Sequence, residues 1–234
     1  MELIVALLKS VSQTDCRVSN VCVGLHWTMV ESKHAGMTHT YKTGKKIELR
    51  DAGNFIGMSA LELAGRIKDW EPLEASLGLA AINSLIDPVG ERSNVDDHIL
   101  KTARGKTVTV IGRFPFNDEV VAAAKQTFLL EIEPAKNELP FFAVEEVIPK
   151  SDVVVVSATA LINKSMQRLL ELSKGKECIV LGPSTPMNDV LLKFGASVTA
   201  GVRIVEPTAL AASIMQGAKS FRKLAGIESI VQFR

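Results

Sequence analysis

Four short stretches hold the side chains of this chain that could do chemistry. In the first, Glu131 stands among apolar Leu129, Leu130 and Ile132, an unusual setting for an acid and a candidate for acid/base work. In the second, Ser157-Ala158-Thr159-Ala160 runs through Leu161 and Ile162 to Asn163. Its small hydroxyl residues let a ligand come close, and they serve equally as helix caps. In the third, Gly182-Pro183-Ser184-Thr185-Pro186 follows an apolar strand. Thr185 is expected to cap a helix there, with Pro186 at its first position. Ser184 is then left over for a ligand, beside a glycine that permits close backbone approach. Free N–H groups at such a strand-to-helix corner suit an anion or another polar ligand.

The fourth stretch is Gly112-Arg113-Phe114-Pro115-Phe116-Asn117. It is not G-x-G-x-x-G, and bulky side chains stand where a pyrophosphate needs bare backbone. Asp118 and Glu119 follow in the first helical turn, where they complement the helix dipole and repel phosphate. NAD or NADP in the usual pose is therefore not expected. Glu131 nevertheless lies nineteen residues after Gly112, near the roughly 20-residue spacing of the acid that holds a ribose. Phe114 and Phe116 can equally pack against the other half of the chain.

Metal-ligand spacing is poor. On one strand Cys16 and Cys22 would stand about 20 Å apart. His34 and His39 flank Gly36, read as a turn residue, yet side-chain parity puts them on opposite faces of a straight strand. His26 beside Trp27 reads as a packing or capping residue, and Asp96-Asp97-His98 as part of a solvated stretch. C-x-x-C, H-E-x-x-H and G-x-S-x-G are all missing from the sequence, so neither a zinc motif nor a serine-hydrolase elbow is present.

The elements that must position these stretches differ between the two halves. In the second half, residues 107–111, 127–132, 153–157, 178–181 and 197–205 read as apolar strands. Between and after them fall helices ending near Gln126, spanning about Asn163 to Lys174, ending near Gly195 and starting near Pro207. That alternation predicts an α/β domain, a Rossmann-like doubly wound parallel sheet whose strand ends face one edge. In the first half, residues 18–25, 28–31 and 37–42 read as short strands with Gly44 in a turn. Helices over 59–70 and 71–85 follow, and Leu3, Leu7 and Leu8 suit one face of an opening helix. Strands grouped before helices predict a smaller α+β unit with an antiparallel meander. The polar stretch 88–104 reads as the linker, giving domains 1–95 and 96–234.

Composition narrows the class. The chain has 234 residues, 47% hydrophobic and only 5% aromatic, so its core is aliphatic. With 27 basic and 26 acidic residues the net charge is +1, which is no nucleic-acid footprint. The basic run Lys42 to Lys46 reads as a solvated loop. Three cysteines make a disulfide framework unexpected and fit a reducing, cytoplasmic setting. Met1 to Val11 lacks the marks of a signal peptide, and no apolar run reaches membrane-spanning length. A homo-oligomer is left open.

In sequence order, these stretches resemble a small prokaryotic family described only as "putative heavy-metal chelation" proteins. The resemblance rests on Val23-Gly24-Leu25-His26-Trp27-Thr28, on Leu77 to Leu85, on Val110-Ile111-Gly112-Arg113-Phe114-Pro115, and on Glu131. It continues through Ser157 to Asn163, Leu181 to Met187, and Ala200-Gly201-Val202. It implies an enolase-N-terminal-like domain joined to a Rossmann-like one. It also implies a site in the cleft between them, lined by the four strand ends and by residues near His39 and Thr40. Many relatives carry His where this chain has Arg113.

Two functional readings follow, beside a plain scaffold. In one, the cleft holds a metal ion or a metal-bound small ligand through Gly112, Arg113, Phe114, Glu131, Ser157, Thr159, Asn163, Gly182, Ser184 and Thr185. In the other, an enzyme acts on a small anionic or nucleotide-like metabolite, with Glu131 as acid/base. The hydroxyl and hard-oxygen character of these corners suits a polar organic ligand better than a soft metal held directly.

Overall fold

The computed structural model describes residues 1–41 and 48–234. The reading of Lys42 to Lys46 and the Gly44 turn lie outside the described residues. An opening helix α1 (Glu2–Val11) is followed by β1 (Asn20–Val23), β2 (Trp27–Glu31) and β3 (Ala35–His39), an antiparallel meander in that order. Then come α2 (Ala60–Ala64), a 3-10 turn (Gly65–Lys68) and α3 (Pro72–Leu85). Ser59 caps α2 by accepting from the Glu62 amide, and Pro72 occupies the first turn of α3, where its missing N–H costs nothing.

Helix α3 is the keel of this unit. Leu77, Leu79, Ala80 and Ile82 are all fully buried, because α3 meets the meander on one side and α1 and α2 on others. The meander rests on it through bare backbone. A Cβ built on Gly36 would stand 2.2 Å from the Ser84 nitrogen and 2.4 Å from the Ala80 oxygen. Gly36 is thus a contact residue inside β3 rather than the expected turn residue; the turn is at 32–34. The other face of the meander, with Trp27, Met29 and Met37, packs on the last helix, through Leu210, Ala211 and Ile214.

The second unit contains β4 (Glu91–Arg92), α4 (Asp96–Ala103), β5 (Thr107–Ile111), α5 (Asn117–Ala123), β6 (Gln126–Glu131) and β7 (Leu139–Pro140). It continues with α6 (Val144–Val147), β8 (Val153–Ser157), α7 (Met166–Leu172), β9 (Glu177–Leu181), α8 (Val190–Lys193), β10 (Val198–Ile204), α9 (Pro207–Met215) and β11 (Ile227–Phe233). The sheet order is β4-β11-β10-β9-β8-β5-β6-β7. From β10 to β7 every pairing is parallel, and the order is that of the Rossmann fold, with its switch point between β5 and β8. Strands such as Val153–Val156 are uniformly buried because both faces are covered. Val108, Val110, Val153 and Val155 face α4 and α5. Val154, Val156 and Val180 share a continuous core with α7, α1 and α3, which joins the two units.

Three expectations need correction. The stretch 88–104 is not a plain linker. It holds β4, paired antiparallel with β11, and α4, whose Ile99 and Ala103 are fully buried. The strands β11 and β7 were not foreseen. No helix begins at Pro186: α8 starts only at Val190, where the Asn188 side chain accepts the Val190 amide. Thr185 does not cap it, since its hydroxyl turns back to donate to the Gly182 carbonyl at 2.7 Å.

Candidate functional site

The register puts the expected corners on one edge of the sheet. Ile111 pairs with Leu130 of β6 and Val156 of β8, and Ser157 pairs with Leu181 of β9. Gly112, Glu131, Ser157 and Gly182 therefore stand at the carboxyl ends of four neighbouring strands. At the switch point Gly112 has φ +118, and a Cβ there would lie 3.0 Å from Ser157 and 3.3 Å from the Phe114 ring. Glycine alone satisfies both demands. Phe114 stacks on Phe116 at 5.1 Å, so this corner is filled by its own aromatic side chains.

Glu131 is half-buried, and burial pushes its carboxyl above the usual range, against the opposing pull of the nearby Arg113 guanidinium. Arg113 itself is committed elsewhere. Its Nε and Nη2 donate to the two Glu138 oxygens at 2.9 and 2.6 Å, and Nη2 also reaches the Glu133 carbonyl. This fork-on-fork pair holds the Glu138 carboxyl well down and closes the 132–138 loop beside Glu131. Ser157 and Thr159 share a 2.8 Å hydroxyl contact. Asn163 Oδ1 accepts from the Ser165 amide and hydroxyl, at 3.1 and 2.6 Å. Its side chain also lowers the pKa of the Tyr41 phenol.

Tyr41 is the residue that sequence reasoning missed. It is the chain's single tyrosine and projects from the first unit onto the switch point. Burial raises its phenol pKa; Asn163 lowers it, while Glu131 and Glu133 add to the rise. It extends an aromatic row in which His39 stands edge-on to Trp27 at 5.6 Å and to Tyr41 at 6.4 Å. Its signal in the sequence was position alone, just beyond a strand that only the tertiary fold brings to Asn163.

Ser184 already has a partner within the protein. It is 2% exposed, and its Oγ accepts the His39 amide at 2.9 Å. The Asn83 amide bridges the Met37 and Ser184 carbonyls at 3.1 and 3.2 Å. The Gly182 turn is thus a latch between the two units. Beside it opens a hollow of about 250 Å³, lined among others by His34, Asn83, Thr185, Met187 and Arg203. This hollow and the perturbed carboxyl therefore lie in different places. At the switch point a half-buried acid shares the sheet edge with Ser157 and acts on the Tyr41 phenol, whereas Arg203 in the hollow is tied to the Pro88 and Gly90 carbonyls.

The donor set does not suit a soft metal held by the protein alone. Among the described residues no three His, Cys, Asp or Glu side chains gather to hold an ion. Burial pushes the Cys178 thiol up to about 12 and also raises Cys22, which disfavours the thiolate that binds metal. His34 and His98 are paired with Asp87 and Glu177, and β3 separates His34 from His39. Arg113 has no lone pair to offer.

The fold and site define a two-unit α/β protein, with a small α+β unit docked on the carboxyl edge of a Rossmann-type sheet. The chain belongs to the DUF364 family, described as "Putative heavy-metal chelation", whose model matches residues 94–229. A second model with the same description, DUF4213, matches residues 5–86. A DUF364 protein of unknown function from Desulfitobacterium hafniense is similar over 100% of this chain and 98% of its own, at 21% identity and TM-score 0.86. Another, from Pyrococcus horikoshii, is 18% identical over 99% and 100%, with TM-score 0.78. At these identities the likeness speaks for the fold. No curated protein matches the sequence. Among the described residues, no helix is long and apolar enough to cross a membrane.

Proposed function

We propose that this protein binds a small polar organic ligand at the switch point, and that any metal ion arrives as part of that ligand. The observation that carries this reading is the half-buried Glu131, which shares the sheet edge with Ser157 and acts on the Tyr41 phenol. A single carboxylate with hydroxyl and amide partners can complete the coordination of a metal already held by other donors, and hard oxygen atoms suit such a role. Phe114 over Gly112 and the acidic loop at Glu133 and Glu138 argue against NAD(P) in its usual pose. The first unit, enolase-N-terminal-like, and the second, Rossmann-like and opening with β4, serve as the two jaws.

A second reading is favoured by the same acid: a carboxyl raised by burial is what general acid/base catalysis needs. Native mass spectrometry of untagged protein tests the binding reading. It should reveal a co-purifying small molecule that is lost, with at least about a tenfold fall in occupancy, in Glu131→Gln, as expected for a lost charge-assisted hydrogen bond. A wild-type protein of bare polypeptide mass, or full occupancy in Glu131→Gln, would overturn it. Chemical conversion of that molecule by wild type but not by the variant would favour the enzyme.

A further inference from the structure

Among the described residues, Lys164 is the one lysine held in a left-handed backbone conformation, with φ +68, where a non-glycine residue is uncommon. Its side chain lines a cavity of about 140 Å³ with Leu3, Ile4, Leu161, Met166 and Trp70. The first four of these are almost wholly buried, whereas Trp70 is 78% exposed at the rim. The ammonium donates to the Ile162 carbonyl at 2.7 Å and pairs with no carboxylate among the described residues. The charged groups facing it are few. Asp69, on the segment entering α3, acts only at a distance and is already engaged by Arg50. The α-amine of Met1, on α1, is held by Gln167 Oε1 at 2.9 Å. An amine on a mostly apolar wall, without a counter-ion, is poorly solvated as a cation.

We propose that Lys164 is a covalent capture site for small, apolar carbonyl compounds, which it holds as an imine. The neutral Nζ lone pair attacks the carbonyl carbon and the C=O π pair moves to oxygen. One proton passes from nitrogen to that oxygen to give the carbinolamine, and the hydroxyl then leaves with the second nitrogen proton as water while the nitrogen lone pair forms C=N. The step is reversible by hydrolysis and needs no oxidant or reductant. Burial brings the Lys164 amine down to about 8. At pH 7 it then carries roughly two-hundredfold more free base than an ordinary lysine. The mostly apolar wall selects an alkyl aldehyde over an anionic one. This inference is independent of the switch-point ligand.

The test is peptide-resolved trapping on the wild-type protein. Butanal is added with cyanoborohydride at a series of pH values, and every lysine is scored against every other; the N-terminal peptide is read separately. The reduced adduct should form on Lys164 at least about tenfold faster than on the median lysine at pH 7. Its rate should level off above about pH 8, while the other lysines keep rising. Glyoxylate should lose this preference. Lys164→Arg should remove the fast site and leave the rest unchanged. Equal labelling of Lys164 and the exposed lysines, or a preference as strong with glyoxylate as with butanal, would overturn the proposal without recourse to any variant.

Discussion

Replacing Gly36 by alanine tests the joint on which both units depend. The new methyl carbon would stand 2.2 Å from the Ser84 nitrogen, 2.4 Å from the Ala80 oxygen and 2.5 Å from the Asn83 carbonyl carbon. All three belong to the backbone of α3, so no side chain can swing aside, and β3 must lift by about 1 Å to regain ordinary contact. Lifting β3 loosens buried Met37 and Thr38 and pulls on the Asn83–Met37 and His39–Ser184 hydrogen bonds. Overpacking a tight core costs about 1–3 kcal/mol and sometimes more. Unyielding backbone places this case at the top of that range, while the alanine recovers only about 0.4–1 kcal/mol through the unfolded chain. A net loss of about 2–2.6 kcal/mol is expected, which lowers Tm by about 4–10 °C for a chain of this size. Gly65→Ala is the matched control. Gly65 has an αR backbone and open space where its Cβ would go, so it should gain about 0.4–1 kcal/mol. Thermal melts and urea titrations of both variants decide the matter. A Gly36→Ala protein as stable as wild type, or two variants that shift alike, would refute the packing argument.

Ser184→Ala removes the acceptor of the His39 amide and should cost about 1–3 kcal/mol. Thr185→Val should cost less than about 1 kcal/mol, since the Gly182 carbonyl still accepts the Thr185 amide; the reverse order in thermal melts would return Ser184 to the ligand. Arg66→Ala removes the 2.8 Å guanidinium partner of Glu74, which is 3% exposed, but leaves it the Arg50 amide at 2.7 Å and the Arg50 guanidinium at 3.4 Å, and should cost about 1.5–3 kcal/mol by urea titration. Glu131 has a raised carboxyl in the folded state, so the unfolded chain ionises first and stability falls as pH rises from the ordinary carboxylate range through the folded value. Glu131→Gln should therefore be more stable than wild type at pH 7 and lose that advantage at pH 4; an advantage that is equal at both would contradict the desolvated carboxylate.

The parallel sheet was legible in the sequence because its strands are buried on both faces. Thr107–Ile111 and Val153–Ser157 are unbroken β-branched runs bounded by Gly105, Gly112 and Ser151, and they fall where composition puts them. Helix α4 was hidden because only Ile99, Leu100 and Ala103 face inward from an otherwise polar segment. The Gly182 corner misled for a different reason. Its capping residues are present, but burying Ser184 and Thr185 under β3 holds the chain in an irregular path and delays α8 to Val190, so tertiary contacts override local signals. Glu131 could be singled out by its apolar neighbours. Tyr41 and Lys164 could not, because the first is brought to the site by the docking of the two units and the second draws its setting from α1 and Trp70.

The central claim is that the metal, if carried, belongs to a ligand and not to a protein-made cage. The direct measurement is elemental analysis of untagged protein before and after removal of its bound small molecule, followed by calorimetric titration of the stripped protein with zinc or copper ions alone. The account predicts that metal leaves together with the small molecule and that the stripped protein binds neither ion stoichiometrically. Tight one-to-one binding of either free ion to the stripped chain would contradict it.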